Sequence, residues 1–327
     1  MKLNSKTKEV IARVTPERIK EEVRKLGRIS LPPELQKRVR EYNEVGERDP
    51  LVWPLIFRFI EIVNFSSVPR KYQPSLLKAR FLSTMLVVLV DDIVDKARNK
   101  RLREELLSIP LKGKKVQLEG LSRKERSYLE FTLSIWQNFF ELVKKYPRYQ
   151  MLEEIFYFDI LQIFNSMRFS ALINDNPYLI NMDEYWGYLP SSMQLMVHHT
   201  LNSMCSTRFN IREVGAIRKI VWHAQYMLRI GNCLSTWQRE IKEKDYSNGI
   251  FAYLVDKGRL SVESLIGQDI SIDKKDIARV ENYFFDEWEK HYNCIKELAP
   301  KVKSFNVKIF ISQLEKVLVF HLSIRNI

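Results

Sequence analysis

Glycine and proline are scarce, 10 and 12 among 327 residues, where roughly 7% and 5% are usual. That leaves little material for the tight turns of an all-β fold or for a glycine-rich loop that cradles phosphate, and it favours an all-α chain. Cysteine is scarcer still. Cys205, Cys233 and Cys294 show no CxxC spacing and cannot all pair, which excludes a disulfide framework and a structural zinc site and makes a reducing cytoplasm the expected setting. No apolar run approaches the roughly 20 residues that span a bilayer, and the start "MKLNSKTKEV" has no apolar signal core, so a soluble protein is expected. HExxH, GxSxG and GxxxxGK[ST] are absent, which removes zinc proteolysis, the nucleophile elbow and the P-loop from consideration.

What is present is apolar content enough for a large core, 45% of residues, and a net charge of +13. Such a charge suits nucleic acid, anionic lipid or a phosphorylated small molecule alike. The basic residues are scattered in short groups such as "KGKK", "SRKER" and "KKYPR", which reads as a solvated surface rather than a nucleic-acid or membrane face. Residues 1–45 are charge-dense and broken by "LPPE" and "NEVGERDP", the mark of an N-terminal arm. From residue 46 to 327 apolar residues recur at helical spacing, interrupted near "SSVPRKYQP", "SIPLKGKK", "KKYPR", "NDNP", "LPSS", "YSNG" and "IGQD". These breaks predict about ten helices in a single α-helical domain.

Two stretches carry chemistry. "FLSTMLVVLVDDIVDKARNK" opens apolar on every side, so its helix is expected to be buried, and it closes on Asp91, Asp92 and Asp95. Asp91 and Asp95 are four residues apart on one face, where two unpaired carboxylates repel. Either Lys96 and Arg98 neutralise them at a solvated helix end, or a cation such as Mg2+ sits there, with carboxylates, waters and substrate phosphate oxygens as its ligands. "RIGNCLSTWQREIKEKDYSNG" places Asn232, Thr236 and Glu240 at successive intervals of four, a stripe about 12 Å long on one helix. Amide, hydroxyl and carboxylate oxygens are hard ligands for a second Mg2+ site with open positions. Arg229 and Arg239 flank the stripe, as suits an anionic ligand such as a diphosphate.

Taken together, DDIVD and N-x3-T-x3-E resemble the class I terpene synthases, above all bacterial diterpene synthases acting on labdane-type diphosphates. The likeness extends through Arg239, Glu240, Asp245 and Asn248, which follow the family's K/R-E-x4-D-x2-N, and through "YWGYLPSSMQLM", which is similar to a family helix broken near its middle. The resemblance implies a single-domain helical bundle with a central cavity. It implies three Mg2+, with Mn2+ able to substitute, held by Asp91, Asp92, Asp95, Asn232, Thr236 and Glu240. Arg229, Arg239 and Arg325 would contact diphosphate, and the cavity would be lined by Trp53, Phe57, Phe164, Tyr185, Tyr188 and Ser192. The implied substrate is a prenyl or copalyl-type diphosphate, in the latter case supplied by an upstream class II cyclase; the DxDD motif of that second class is missing here. A homodimer is compatible with the reading. The sequence departs from the family in having no Arg in "EYWGYLPSSM" and no Tyr beside Arg325 in "HLSIRNI". Alternatives are a farnesyl diphosphate cyclase, a prenyltransferase, which would carry a second aspartate-rich motif, and a basic helical module for nucleic acid or membrane.

Overall fold

The computed structural model describes residues 5–94, 99–267, 270 and 272–325. Among these there are fifteen α-helices, a few 3-10 turns and no strand. The count exceeds the ten that the breaks predict because several helices are too short to show a period: α1 (Ser5–Ile11), α9 (Met182–Tyr188), α12 (Gly249–Asp256) and α13 (Val262–Ile266). No described helix is long and apolar enough to cross a membrane.

The central element is α5 (Gln73–Val94). It is buried along most of its length, from Leu76 to Val94, and packs against α4 (Val52–Ile62), α6 (Lys100–Lys112), α7 (Arg123–Val143), α8 (Tyr149–Asp175) and α10 (Leu195–Cys205). A helix apolar on all sides has no other stable position. Thr84, Val87 and Asp91 are among its part-accessible residues and share one stripe. The longest helix, α11 (Val214–Glu243), packs against α10, α12, α14 (Lys274–Leu298) and α15 (Val307–Ser323), so α10 is a neighbour shared by the helices that carry the two motifs.

Local signals set the helix ends. Ser122 and Glu125 form a reciprocal capping box at the start of α7, and the Asn99 side chain accepts from the first amides of α6, satisfying donors that a helix leaves unpaired. At the far end of α11, Lys244 adopts a left-handed conformation with φ 61°, and the chain turns back through 245–248 so that Asn248 caps α12. The N-terminal segment folds over the bundle. The Thr7 hydroxyl and amide of α1 donate to the buried Glu289 of α14, at 2.6 and 2.9 Å; α2 (Pro16–Leu26) lies on α4 and α15; and α3 (Pro33–Asn43) brings Tyr42 into the core beside Trp53.

Candidate functional site

Asp91 and Asp92 are adjacent on α5 and therefore face different ways. Asp92 is buried and saturated. It accepts from the Tyr42 hydroxyl at 2.6 Å and the Tyr128 hydroxyl at 3.3 Å, and it also pairs with Arg48 Nε. Asp91 is open, its side chain 38% accessible, and takes a 3.0 Å bond from Arg48 Nη2. Asp95 lies outside the described residues, as do Lys96 and Arg98.

The second stripe runs along the last third of α11. Asn232 and Thr236 are half-buried. The Thr236 hydroxyl donates to the Asn232 carbonyl at 2.9 Å, which leaves its oxygen lone pairs free to accept. Glu240 is buried and receives the Asn248 side-chain amide. Asn248 also donates to the Cys233 carbonyl at 3.1 Å, so one residue both caps α12 and fixes the direction of Glu240. Asp245 accepts from the Ser247 amide and hydroxyl at 3.0 and 2.8 Å and from Asn174 of α8 at 3.2 Å.

Electrostatics ties the two stripes together. Burial raises the proton affinity of Asp91. Arg48 and Arg239 oppose the shift, while Asp245 and Asp92 reinforce it. Burial, joined by the charge of Asp245, likewise pushes Glu240 up to about 7, against Arg239 and Arg229. The charges of a carboxylate at the end of α5 and another just beyond α11 thus act on each other. Such crowding disfavours ionisation unless a cation shares the space. Among the described residues no three carboxylate, histidine or cysteine side chains converge as one metal cluster. The available donors are instead mixed, a carboxylate on one side and amide, hydroxyl and carboxylate on the other. That donor set fits Mg2+ better than a soft metal.

Cations lie close enough for their charges to act on these carboxylates. Arg229 is buried, donates to the Ser247 carbonyl at 2.9 Å and to Asn232 Oδ1 at 3.3 Å, and lies 5.5 Å from the ring centre of Tyr185. Arg239 is half-exposed, paired with Glu243 at 2.5 Å and 3.6 Å from Glu240. Arg325, in contrast, is bound to Glu281 of α14.

The residues expected to line a cavity fall into separate groups. Trp53 is fully buried between Tyr42 and Phe81, with ring centres at 4.8 and 6.0 Å, and Phe57 meets the same Phe81. Phe164 of α8 packs edge-on to Trp136 of α7. Tyr185 is buried against Trp186 and Phe284, whereas Tyr188 is 47% exposed and leans on Phe169. Ser192 belongs to the break between α9 and α10, a 3-10 turn Leu189–Met193 followed by Gln194 at φ 60°, and its hydroxyl donates to the Leu189 carbonyl at 2.8 Å. Pro190, which lacks an amide hydrogen, makes this break natural. His198 and His199 pack inside, His198 on Ser83 at 3.1 Å and His199 against Phe65.

Neither a family model nor a curated protein sequence matches the chain significantly. Solved structures do. Isoprene synthase from grey poplar leaves (Populus x canescens) superposes with a TM-score of 0.58 at 16% identity, over 95% of this chain and 57% of that one. The same enzyme in complex with three Mg2+ ions and dimethylallyl-S-thiolodiphosphate gives 0.59 at 15% identity, over 92% of this chain and 54% of that one. The fold is that of a class I terpene synthase. This chain spans little more than half the length of those neighbours. Within this fold, Arg48, Tyr42, Tyr128 and Asn174 are residues at the site that no sequence pattern marked. "NEVGERDP" reads as a polar break, and nothing in its spacing points to Asp91.

Proposed function

We propose that the chain is a Mg2+-dependent class I terpene synthase, a diterpene synthase by preference. It would ionise a prenyl or copalyl-type diphosphate and release diphosphate with a terpene hydrocarbon or alcohol. What supports this reading is the closeness of the two acidic elements: the charge of Asp245, beyond α11, acts on both Asp91 of α5 and Glu240, and Arg239 acts on the same two carboxylates. The fold points the same way.

Asp91, with Asp95, would hold metal on one side, and Asn232, Thr236 and Glu240 on the other; bound Mg2+ supplies Lewis-acid neutralisation of the diphosphate oxygens. Asp92 would act through Tyr42, Tyr128 and Arg48 to hold the end of α5 in place. Arg229, fixed by the Ser247 carbonyl, presents a permanently charged donor to the anion, and Arg239 adds a second at the rim. Arg325 would need to leave Glu281 to take part. Once the leaving group departs, the allylic cation must be kept from water and stabilised by π faces, each worth about 0.5–2 kcal/mol. Tyr185, buried with its ring centre 5.5 Å from the Arg229 guanidinium, is the expected aromatic that lies beside this cation. The labdane preference rests on "YWGYLPSSMQLM" and "RIGNCLSTWQRE". With such a substrate, the preceding step is a class II cyclisation.

Purified protein with Mg2+ should be incubated with dimethylallyl, farnesyl, geranylgeranyl and copalyl diphosphates, reading both volatile products and inorganic diphosphate. Turnover of the copalyl or geranylgeranyl substrate is expected. Absence of product and of diphosphate release with all four rejects the enzyme reading.

A further inference from the structure

We infer that His223 of α11 and His291 of α14 form a second metal site, one for a divalent transition ion and Cu2+ above all, separate in place and in chemistry from the oxygen donors proposed for Mg2+. Such a site stands whether or not the chain is a terpene synthase.

The two rings meet where α11 packs on α14, 68 residues apart in the chain, with ring centres 5.1 Å and Nδ1 atoms 2.8 Å from each other. In the free protein one Nδ1 carries a hydrogen and donates it to the other. When the donor ring moves that hydrogen to its Nε2, both Nδ1 lone pairs become available to one ion. Their spacing selects which. At a metal–imidazole distance of about 2.0 Å, two donors at the right angle of a tetragonal ion lie about 2.8 Å apart, whereas two donors of a tetrahedral ion lie about 3.3 Å apart. Tetragonal nitrogen sites suit Cu2+ and Ni2+, and Cu2+ binds such donors the more tightly. Mg2+ is a poor occupant because it takes oxygen ligands.

The rings are also in the right protonation state. Burial lowers the proton affinity of both, His291 down to about 4; the charge of Lys219 adds to the effect on His223, and those of His223 and Lys290 to the effect on His291. At neutral pH a metal ion therefore has no imidazolium to deprotonate. The same lysines repel a cation, but Lys290 is paired with Glu287, one turn before His291, which offsets part of that repulsion. Both rings are half-buried and the adjoining Trp222 is exposed, so water can complete the coordination.

The pair is linked to α9 as well. The His291 ring centre lies 4.8 Å from that of Tyr226, whose hydroxyl donates to the Trp186 carbonyl at 2.7 Å and whose ring stacks on Trp186 at 5.3 Å. An ion that joins α11 to α14 thus steadies α9 through Tyr226.

The test is calorimetric titration of Cu2+ into the full chain in excess Mg2+ at neutral pH, with electron paramagnetic resonance of the bound ion and thermal melts. Wild type is expected to bind one Cu2+ with a spectrum coupled to two nitrogens and a raised melting temperature, and to bind Ni2+ and Zn2+ more weakly. His223→Ala and His291→Ala should each weaken Cu2+ binding by at least the roughly 100-fold that loss of a supporting group can cost a metal site. His223→Gln and His291→Gln, which keep bulk and polarity, serve if an alanine variant does not fold. Cu2+ bound equally by wild type and by folded variants at both positions, or a spectrum without two coupled nitrogens, overturns the inference and leaves the pair as a hydrogen bond between helices. Neither result bears on diphosphate release in Mg2+, which tests the proposed function separately.

Discussion

Two neighbouring aspartates show how much one residue of rotation along a helix matters. Asp91 is 38% accessible, whereas Asp92 points into the packing between α3, α5 and α7, where the Tyr42 hydroxyl and Arg48 bond to it. Their substitutions should separate cleanly. Asp91→Asn is expected to lower Mg2+-dependent diphosphate release at least 100-fold with melting temperature and helical circular dichroism preserved, because the residue contributes to a site rather than to packing. Asp92→Ala leaves the buried Tyr42 hydroxyl without its acceptor and should cost about 1–3 kcal/mol of stability, the usual effect of an unsatisfied buried polar group. Equal loss of stability in both variants, read by chemical denaturation, would contradict the division of labour.

At the scale of the element, the position of α11 fixes where Asn232, Thr236 and Glu240 present their oxygens, and α15 helps to hold it there. Gly231, next to Asn232, faces His321 of α15 so closely that a Cβ would lie 2.3 Å from Nδ1. His321 is itself buried and stacked on Phe59 at 5.5 Å, so it has nowhere to retreat. Gly231→Ala should therefore push α11 and α15 apart, at a cost of about 1–3 kcal/mol, as overpacking does. It should also weaken Mg2+ binding by shifting Asn232. A variant as stable as wild type with unchanged Mg2+ titration would show that the two helices can adapt.

At the scale of the whole molecule, all five histidines are held below their ordinary titration range, burial being the leading cause in each. His199 is pushed down to about 3, and His291 and His321 to about 4. The unfolded chain takes up these protons near pH 6.5 while the native protein refuses them. The stability they confer is therefore complete above pH 6.5 and is lost as pH falls towards 4, by about 1.4 kcal/mol per pH unit for each histidine that stays neutral. Glu240, raised to about 7, and Asp91, also raised by burial, work in the opposite sense through most of this window, but they are two groups against five. Thermal melts of the metal-free protein from pH 7.5 to 4.5 should fall steadily below 6.5. A flat profile across that range would mean that the histidines are solvated.

The all-α class, the buried character of the helix ending in DDIVD and the oxygen stripe of Asn232, Thr236 and Glu240 were legible in the sequence because each is local. Helical period and residue chemistry suffice to place side chains on a common face within one helix. Several short helices escaped because five to eight residues do not complete enough turns to show a period. What only the tertiary structure decided is everything that depends on chain segments meeting. It brought the charges of Asp91 and Asp245 close enough to act on each other, turned Asp92 towards Tyr42, bound Arg325 to Glu281 and brought Arg48 onto Asp91 across a separation of 43 residues. Such contacts leave no trace in spacing, because the partner of a charge is selected by the packing of whole helices and not by its neighbours in the chain.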